Sequence, residues 1–290
     1  MTPSVAITLP GGLFANGERW REVHLRALTG EDHLFLTDGC RGLLPAQWVT
    51  EALTRCVTRL GPVGPVNREI IRSLSAGDRE ALLIHLRRLT GGDRMRCVLT
   101  CSSPACGEKL EIDLSATDLL RRAPEETRRE HELTVWRDDG ASIVVRFRLP
   151  TGSDQEAAAA LALTDPDAAA DYLLRQCVQS ATLSDGSALD SFPDALGAQL
   201  SARMAELDPQ AELTLQAACP ACGRAFSAIF DMASYLAREL TAGMRHLYRE
   251  IHLLAYHYHW SPTEILAMSA LTRRRYLQLL EEELTEGAAP

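Results

Sequence analysis

Two hydrophobic periods alternate along this chain. Leu82, Leu83, Leu86 and Leu89 fall at i, i+1, i+4 and i+7, a stripe that predicts a helix over residues 77–89 closed by Thr90-Gly91-Gly92-Asp93. Upstream, Trp48, Leu53, Val57 and Leu60 share one side of a predicted helix over 45–60, with Pro45 near its start and Gly61 as its stop. Glycine and proline then crowd 61–65 into a loop, and another helix begins near Asn67. Partial alternation in Val23-His24-Leu25-Arg26-Ala27-Leu28 predicts a strand running into the helix-capping composition Thr29-Gly30-Glu31-Asp32. Residues 1–20, rich in Pro, Gly and small side chains, read as an extended arm. His85, between Leu83 and Leu86, is expected to be a partly buried imidazole bonded to a neighbour, not a ligand.

From Arg94 the pattern turns strand-like. Residues 94–100 and 109–114 read as strands flanking a knuckle at 101–107, and 116–131 as a charged helical stretch. Leu133-Thr134-Val135-Trp136 and the alternating 142–149 form a predicted hairpin about Asp138-Asp139-Gly140. Residues 153–207 read as helical: Ser153-Asp154-Gln155-Glu156 has a capping-box composition, Asp165-Pro166-Asp167 starts the next helix, and 195–207 supplies a third. Residues 212–216 and 226–230 are strands around a second knuckle, Cys219-Pro220-Ala221-Cys222-Gly223. Tyr235, Leu236, Leu240, Met244, Leu247, Ile251, Leu254 and Tyr258 then mark one long helix. Ser261-Pro262-Thr263-Glu264 caps a final helix reaching Leu284. The predicted class is α+β: mainly helical, with a small antiparallel β/zinc-ribbon-like module split by a hairpin-plus-helices insertion, and a C-terminal helical pair. The expected parts are an N-terminal arm and helical region (1–93), the split module (94–114 with 210–231), the insertion (115–209) and the C-terminal helices (232–290).

Composition narrows the function classes. The chain has 290 residues, 46% of them hydrophobic, enough for a substantial core. Thirty basic against 39 acidic residues leave a net charge of −9, which argues against nucleic acid as a partner and against a polybasic membrane contact. No run approaches the ~18–20 apolar residues of a spanning helix, so no membrane insertion is expected. Met1 to Phe14 lacks a basic segment followed by a continuous apolar one, so the protein is expected to be cytoplasmic. Its eight cysteines then sit in a reducing compartment, where paired cysteines more often hold metal than form disulfides.

The cysteines show a weak internal repeat. Met95-Arg96-Cys97-Val98-Leu99-Thr100-Cys101 aligns with Leu213-Thr214-Leu215-Gln216-Ala217-Ala218-Cys219, and each segment enters a knuckle: C-x4-C-G at Cys101, Cys106 and Gly107, C-x2-C-G at Cys219, Cys222 and Gly223. Two tight turns presenting two thiolates each are the halves of a tetrahedral four-cysteine zinc site, closed to water and therefore structural. The glycine after each second cysteine permits positive φ and lets backbone amides point at the sulfurs. Cys106 and Cys219 are separated by 112 residues, far beyond the ~15–20 of a compact ribbon, hence the predicted insertion. Cys97 aligns with Leu215 and reads as a strand residue; Cys40, Cys56 and Cys177 read as small buried hydrophobes.

Catalytic motifs are lacking. His246, His252, His257 and His259 cluster near a helix end, without an H-E-x-x-H, and read as aromatic packing with imidazoles on the last carbonyls. A hydrolase using His252 or His259 as base is the weakest reading. Arg273-Arg274-Arg275 reads as a solvated face or a contact to an acidic partner. No phosphate-binding glycine loop or nucleophile elbow occurs.

Several segments together resemble the T4-type baseplate (hub) proteins of contractile phage tails, versions of which occur in extracellular contractile injection systems. They are Leu28-Thr29-Gly30-Glu31-Asp32, the helix-plus-CxxC module, Arg148-Leu149-Pro150-Thr151-Gly152, and the run from Glu250-Ile251-His252-Leu253-Leu254-Ala255 through Tyr256-His257-Tyr258-His259-Trp260-Ser261 to Tyr276-Leu277. The resemblance implies a non-enzymatic structural or assembly role, with other baseplate or tail proteins of the same particle as partners and an oligomeric setting within it. Tyr256, Tyr258, Trp260, Arg274 and Tyr276 are the candidate docking residues, since aromatic residues and Arg anchor interfaces; the alternative is that the aromatics pack the two helices together. A second reading is a regulatory zinc-ribbon module that binds protein or nucleic acid.

Overall fold

The computed structural model describes residues 3–15, 17–122, 128–136, 142–183, 187 and 194–286. It is α+β, 50% helical and 28% strand, with small antiparallel sheets.

Strands β1 (Ser4–Ala15) and β2 (Glu18–Arg26) form a hairpin, so most of the expected arm is paired. Alternation explains it: Ile7 and Leu9 point into the core. The register shifts between Thr8 and Leu13, and there the N–H groups of Gly11 and Gly12 donate to the Asp78 carboxylate, both at 2.6 Å. Thr29 caps α1 (Gly30–Leu34) in a reciprocal capping box with Asp32, as its composition predicts, and the helix runs on as a π turn, Phe35–Gly39.

Helix α2 (Pro45–Cys56) ends earlier than the predicted residue 60. Val57 turns extended, and β3 (Val57–Leu60) pairs antiparallel with β2. Leu53, Val57 and Leu60 fit a helical stripe, but Val57 and Leu60 are equally the buried ends of a strand whose Thr58 and Arg59 are exposed. Asn67 caps α3 (Arg68–Ser73), and Ser75 caps α4 (Ala76–Gly91), which stops at Gly92 with φ 92°. His85 differs from expectation: its Nδ1 has no hydrogen-bond partner, and burial pushes the imidazole down to about 4.

Strands β4 (Arg94–Thr100) and β5 (Lys109–Ser115) lie as predicted, but among the described residues of the stretch read as helical after them only α5 (Ala116–Leu119) is a helix, since Leu120 is extended. A second three-stranded sheet follows, with His131–Trp136 (β6), Ser142–Phe147 (β7) and Val178–Leu183 (β8) in that order. Its β6 and β7 form the predicted hairpin, whose Asp-Asp-Gly turn lies outside the described residues. Helix α6 (Gly152–Ala162) is capped by Thr151 and Asp154, two residues before the predicted Ser153 and Glu156. Glu156 is engaged elsewhere, with the Thr50 hydroxyl and with Arg72 at 2.9 Å. Helix α7 (Pro166–Cys177), capped by Asp165 as predicted, runs straight into β8 (Val178–Leu183), a strand within the stretch read as helical. Helix α8 (Asp194–Leu207) covers this sheet.

Strands β9 (Thr214–Ala218) and β10 (Ala225–Ile229) form the last hairpin. Helix α9 (Met232–Tyr258) has 27 residues, about 40 Å at 1.5 Å each. The predicted final helix is two: α10 (Pro262–Leu266), with the expected Ser261–Glu264 capping box, and α11 (Ala270–Glu286). They part because residues 268–269 bond to another segment: Gly30 N–H donates to Met268 O at 3.3 Å, and Ser269 bridges Thr29. One large apolar core joins the first sheet, α2, α4, both knuckle hairpins and the start of α9. Two smaller clusters, one around Val135, Ile143, Val145 and Leu196, the other around Phe147, Cys177, Leu200 and Met204, sit under the second sheet.

Candidate metal centre

Each knuckle is the turn of a regular hairpin. The β4–β5 ladder closes at Thr100 opposite Lys109 and the β9–β10 ladder at Ala218 opposite Ala225. Just beyond, Cys101 N–H donates to Glu108 O at 2.8 Å and Cys219 N–H to Arg224 O at 2.9 Å, so both turns are cinched alike. Gly107 and Gly223 take φ of 62° and 71°, the left-handed geometry that turns the chain back behind the second cysteine.

The four sulfurs converge. The Sγ atoms of Cys101, Cys106, Cys219 and Cys222 all lie within 4.8 Å of one another. Cys101 and Cys222 are 3.8 Å apart, and Cys106 and Cys219 are 3.7 Å apart. A tetrahedron with metal–sulfur bonds of ~2.3 Å has edges of about 3.8 Å, so these spacings suit one tetrahedral ion. A disulfide needs ~2.05 Å, and all four cysteines are free. Cys101 and Cys219 are buried at the core edge while Cys222 is exposed, so one corner of the cluster faces solvent.

Backbone amides supply the surroundings the thiolates need. Cys222 N–H and Ala221 N–H point at the Cys219 sulfur and draw its thiol down to about 7. Ser103 N–H and Glu108 N–H do the same for Cys101 and Cys106, but there burial and the neighbouring thiols outweigh them. Cys101 is raised, and Cys106 is pushed up to about 11. Four thiols this close cannot all ionise by themselves, since each negative charge opposes the next. A soft divalent cation removes that conflict, and the donor set fits one. With all four positions taken by sulfur, such an ion has no site left for water.

The remaining cysteines lie elsewhere. Cys97 is a β4 residue opposite Ile112, and Cys40, Cys56 and Cys177 are buried. Burial pushes the Cys177 thiol up to about 12 and Cys56 higher still.

The C-terminal aromatics separate into two groups. Tyr258 stacks on Trp260 at 4.8 Å, Tyr276 meets both edge-on at 5.9 and 4.9 Å, and the Tyr258 hydroxyl donates to Tyr276 O at 3.4 Å. These three pack the end of α9 against α11. Tyr256, 69% exposed, and Arg274 face outward. The basic run is not wholly solvated: Arg273 is 3% exposed and pairs with Glu250 at 2.7 Å. His259 terminates α9 in the left-handed conformation, and His257 meets Tyr256 edge-on at 5.0 Å. The imidazole–carbonyl bond expected of the late histidines is found instead at His33, whose Nε2 lies 2.6 Å from Leu240 O.

A family model described as T4 bacteriophage base plate protein matches residues 19–237. The chain belongs to this family. The match runs from β2 to the first turns of α9 and takes in both knuckles, Thr29-Gly30 and Thr151-Gly152. The run from Glu250 to Leu277, which carries the resemblance most fully in the sequence, lies beyond its last matched residue. No curated protein and no solved structure matches the chain. Membership in the T4 bacteriophage base plate protein family makes this a structural baseplate component that associates with other tail or baseplate proteins. Among the described residues no helix is long and apolar enough to cross a membrane.

Proposed function

We propose that this chain is a non-enzymatic structural or assembly component of the baseplate of a phage-tail-like contractile injection system. It is made in the cytoplasm and pinned by one structural zinc ion on Cys101, Cys106, Cys219 and Cys222. The observation that carries this reading is the convergence of four sulfurs from two distant knuckles inside a span matched to a baseplate family. Zinc supplies positive charge and fixed tetrahedral geometry there; the chain's own amides orient and stabilise the thiolates. The split ribbon (94–114 with 210–231) divides the chain into the parts 1–93, 115–209 and 232–290. Tyr256 and Arg274, turned outward on the C-terminal helices, offer a docking edge to neighbouring baseplate proteins, backed by Tyr258, Trp260 and Tyr276. The −9 charge disfavours the alternative of a nucleic-acid-binding ribbon.

Deleting the gene from a producing strain tests the role. Electron micrographs of the lysates should then lack complete contractile particles, and the wild-type gene should restore them. Normal particles without the protein would overturn the reading. Elemental analysis of the purified chain should find one zinc per molecule.

A further inference from the structure

The knuckle repeat is the end of a much longer one. Arg26-Ala27-Leu28-Thr29-Gly30-Glu31-Asp32 and Arg148-Leu149-Pro150-Thr151-Gly152-Ser153-Asp154 share R-x-x-T-G-x-D, and each follows the middle strand of a three-stranded sheet. Both modules are wired alike. Arg26 grips Asp32 through two nitrogens at 2.5 and 3.2 Å, and Arg148 grips Asp154 at 2.6 and 2.8 Å. The threonine hydroxyl donates to the same aspartate at 2.9 Å in one and 2.7 Å in the other. The same guanidinium then reaches the carbonyl just before a buried cysteine: Arg26 to Arg55 O at 2.7 Å, Arg148 to Gln176 O at 3.1 Å.

The helices and strands match as well. Helices α2 and α7 each start with proline, run 12 residues and end on that cysteine, Cys56 or Cys177. Each is followed by valine, which opens the third strand and pairs with the residue before the module arginine: Leu25 with Val57, Phe147 with Val178. Both ladders carry a register shift at that point. A helix on the sheet (α4 or α8), a hairpin with a cysteine knuckle, and a helix directly after it (α5 or α9) complete each series in the same order, with α3 added before α4 in the first.

We infer that the chain is an internal duplication, one copy running from β1 to α5 and the other from β6 into α9, and that the four-thiol centre is a single site shared between the copies. A two-fold relation carries Cys101 onto Cys219 and Cys106 onto Cys222. It therefore makes the Cys101–Cys222 and Cys219–Cys106 separations equivalent, and they are 3.8 and 3.7 Å. Each copy brings two thiolates, half of a tetrahedron, so neither can saturate an ion without the other. The ion is then a clasp across the seam of a pseudo-dimer.

The first copy also docks a helix start on the second, and the segment after α9 docks a similar one on the first. Leu74 O accepts from Gly152 N–H at 3.0 Å, and Ser75 bridges Thr151, so the α3–α4 junction of the first copy docks on the second copy's module. Met268 O and Ser269 meet Gly30 and Thr29 in the same way. The two docking segments are themselves alike: Asn67 and Ser261 cap a short helix, Ile71 and Ile265 are buried, Ser-Ala follows, and Arg79 and Arg273 are 2% and 3% exposed.

The clasp rests on the metal reading above and is tested separately from it. A full-length chain carrying a protease site between Arg122 and Arg128 is folded with zinc, cut, and compared with C101S/C106S and C219S/C222S versions. The cut wild-type chain should elute as one species holding both fragments and one zinc. Either double variant should lose the ion completely and weaken fragment association at least tenfold. An ion that survives loss of one pair, or one ion in each fragment, overturns the clasp while leaving a metal centre. A wild-type chain that takes up neither zinc nor cobalt overturns both.

Discussion

Acidic side chains in this fold are pushed in opposite directions by their neighbours. Burial drives the Glu80 carboxyl up to about 8, with Asp231 adding repulsion and Met232 N–H opposing, and it drives Asp78 up to about 6. A raised carboxyl contributes its stability in the neutral form, whole below the unfolded value of ~4.3 and lost as pH climbs through the folded one. E80Q should therefore raise stability by about 1 kcal/mol at pH 8 and leave it unchanged near pH 4, read as urea midpoints at the two pH values. Asp154 behaves the other way. Burial opposes its ionisation, but Arg148 and Thr151 outweigh it and hold it below the ordinary range. Its contribution is present above pH ~3.9 and lost as pH falls through the lowered value. Because Arg148 is partly exposed, D154N should cost about 2 kcal/mol at pH 7, less than a fully buried pair, with the deficit narrowing in acid. An equal deficit at pH 3 and pH 7 would place the effect in the cap and not in the charge.

At the level of elements, sequence periodicity located α2, α4, α7, α9 and both knuckle hairpins because each buries one stripe or one face. It missed β3 and β8 for a common reason. Each strand leaves its helix at a buried cysteine with no turn residue between, so Val57 and Val178 continue an apolar pattern that suits either period. The first strand was hidden by Gly11 and Gly12, which look like loop yet have their amides satisfied by Asp78, 66 or 67 positions away. The break between α10 and α11 is equally non-local, set by bonds to Thr29 and Gly30. For the metal centre, the cysteine pairs and following glycines stood in the sequence, whereas the amide donors and the meeting of the knuckles needed the fold. Gly152 shows how closely the helix starts are fitted. A Cβ there would lie 2.0 Å from Nη1 of Arg79, which is itself held by Thr50 Oγ1 at 3.0 Å and Ala46 O at 2.7 Å. G152A should destabilise the protein by about 2 kcal/mol or more, measured by denaturant unfolding, because the guanidinium has no slack in which to retreat.

For the whole molecule, the question is what the ion adds to a chain already joined by a large core. Met95, Leu99, Leu213 and Phe226, on the two knuckle hairpins, belong to the same apolar cluster as α2, α4 and the first sheet. That cluster does not depend on sulfur chemistry, so the molecule differs from a small zinc finger, which has no core to fall back on. The second sheet is further removed, since its buried residues form their own clusters beneath α7 and α8. Chelation should therefore loosen the structure locally. Without the cation the four thiols must stay largely protonated, the amide–thiolate bonds weaken, and the knuckles lose the contact that aligns them. Amide hydrogen exchange after treatment with a strong zinc chelator should quicken at least tenfold in β4–β5 and β9–β10, while β6–β8 keeps its protection. C222S should reproduce this pattern, because its exposed sulfur can be removed without opening the core. C97S, on β4 but facing the apolar cluster, should leave zinc content unchanged. Uniform loss of protection across all sheets on chelation would mean that the ion holds the entire fold, and the core would then be too weak to stand without it.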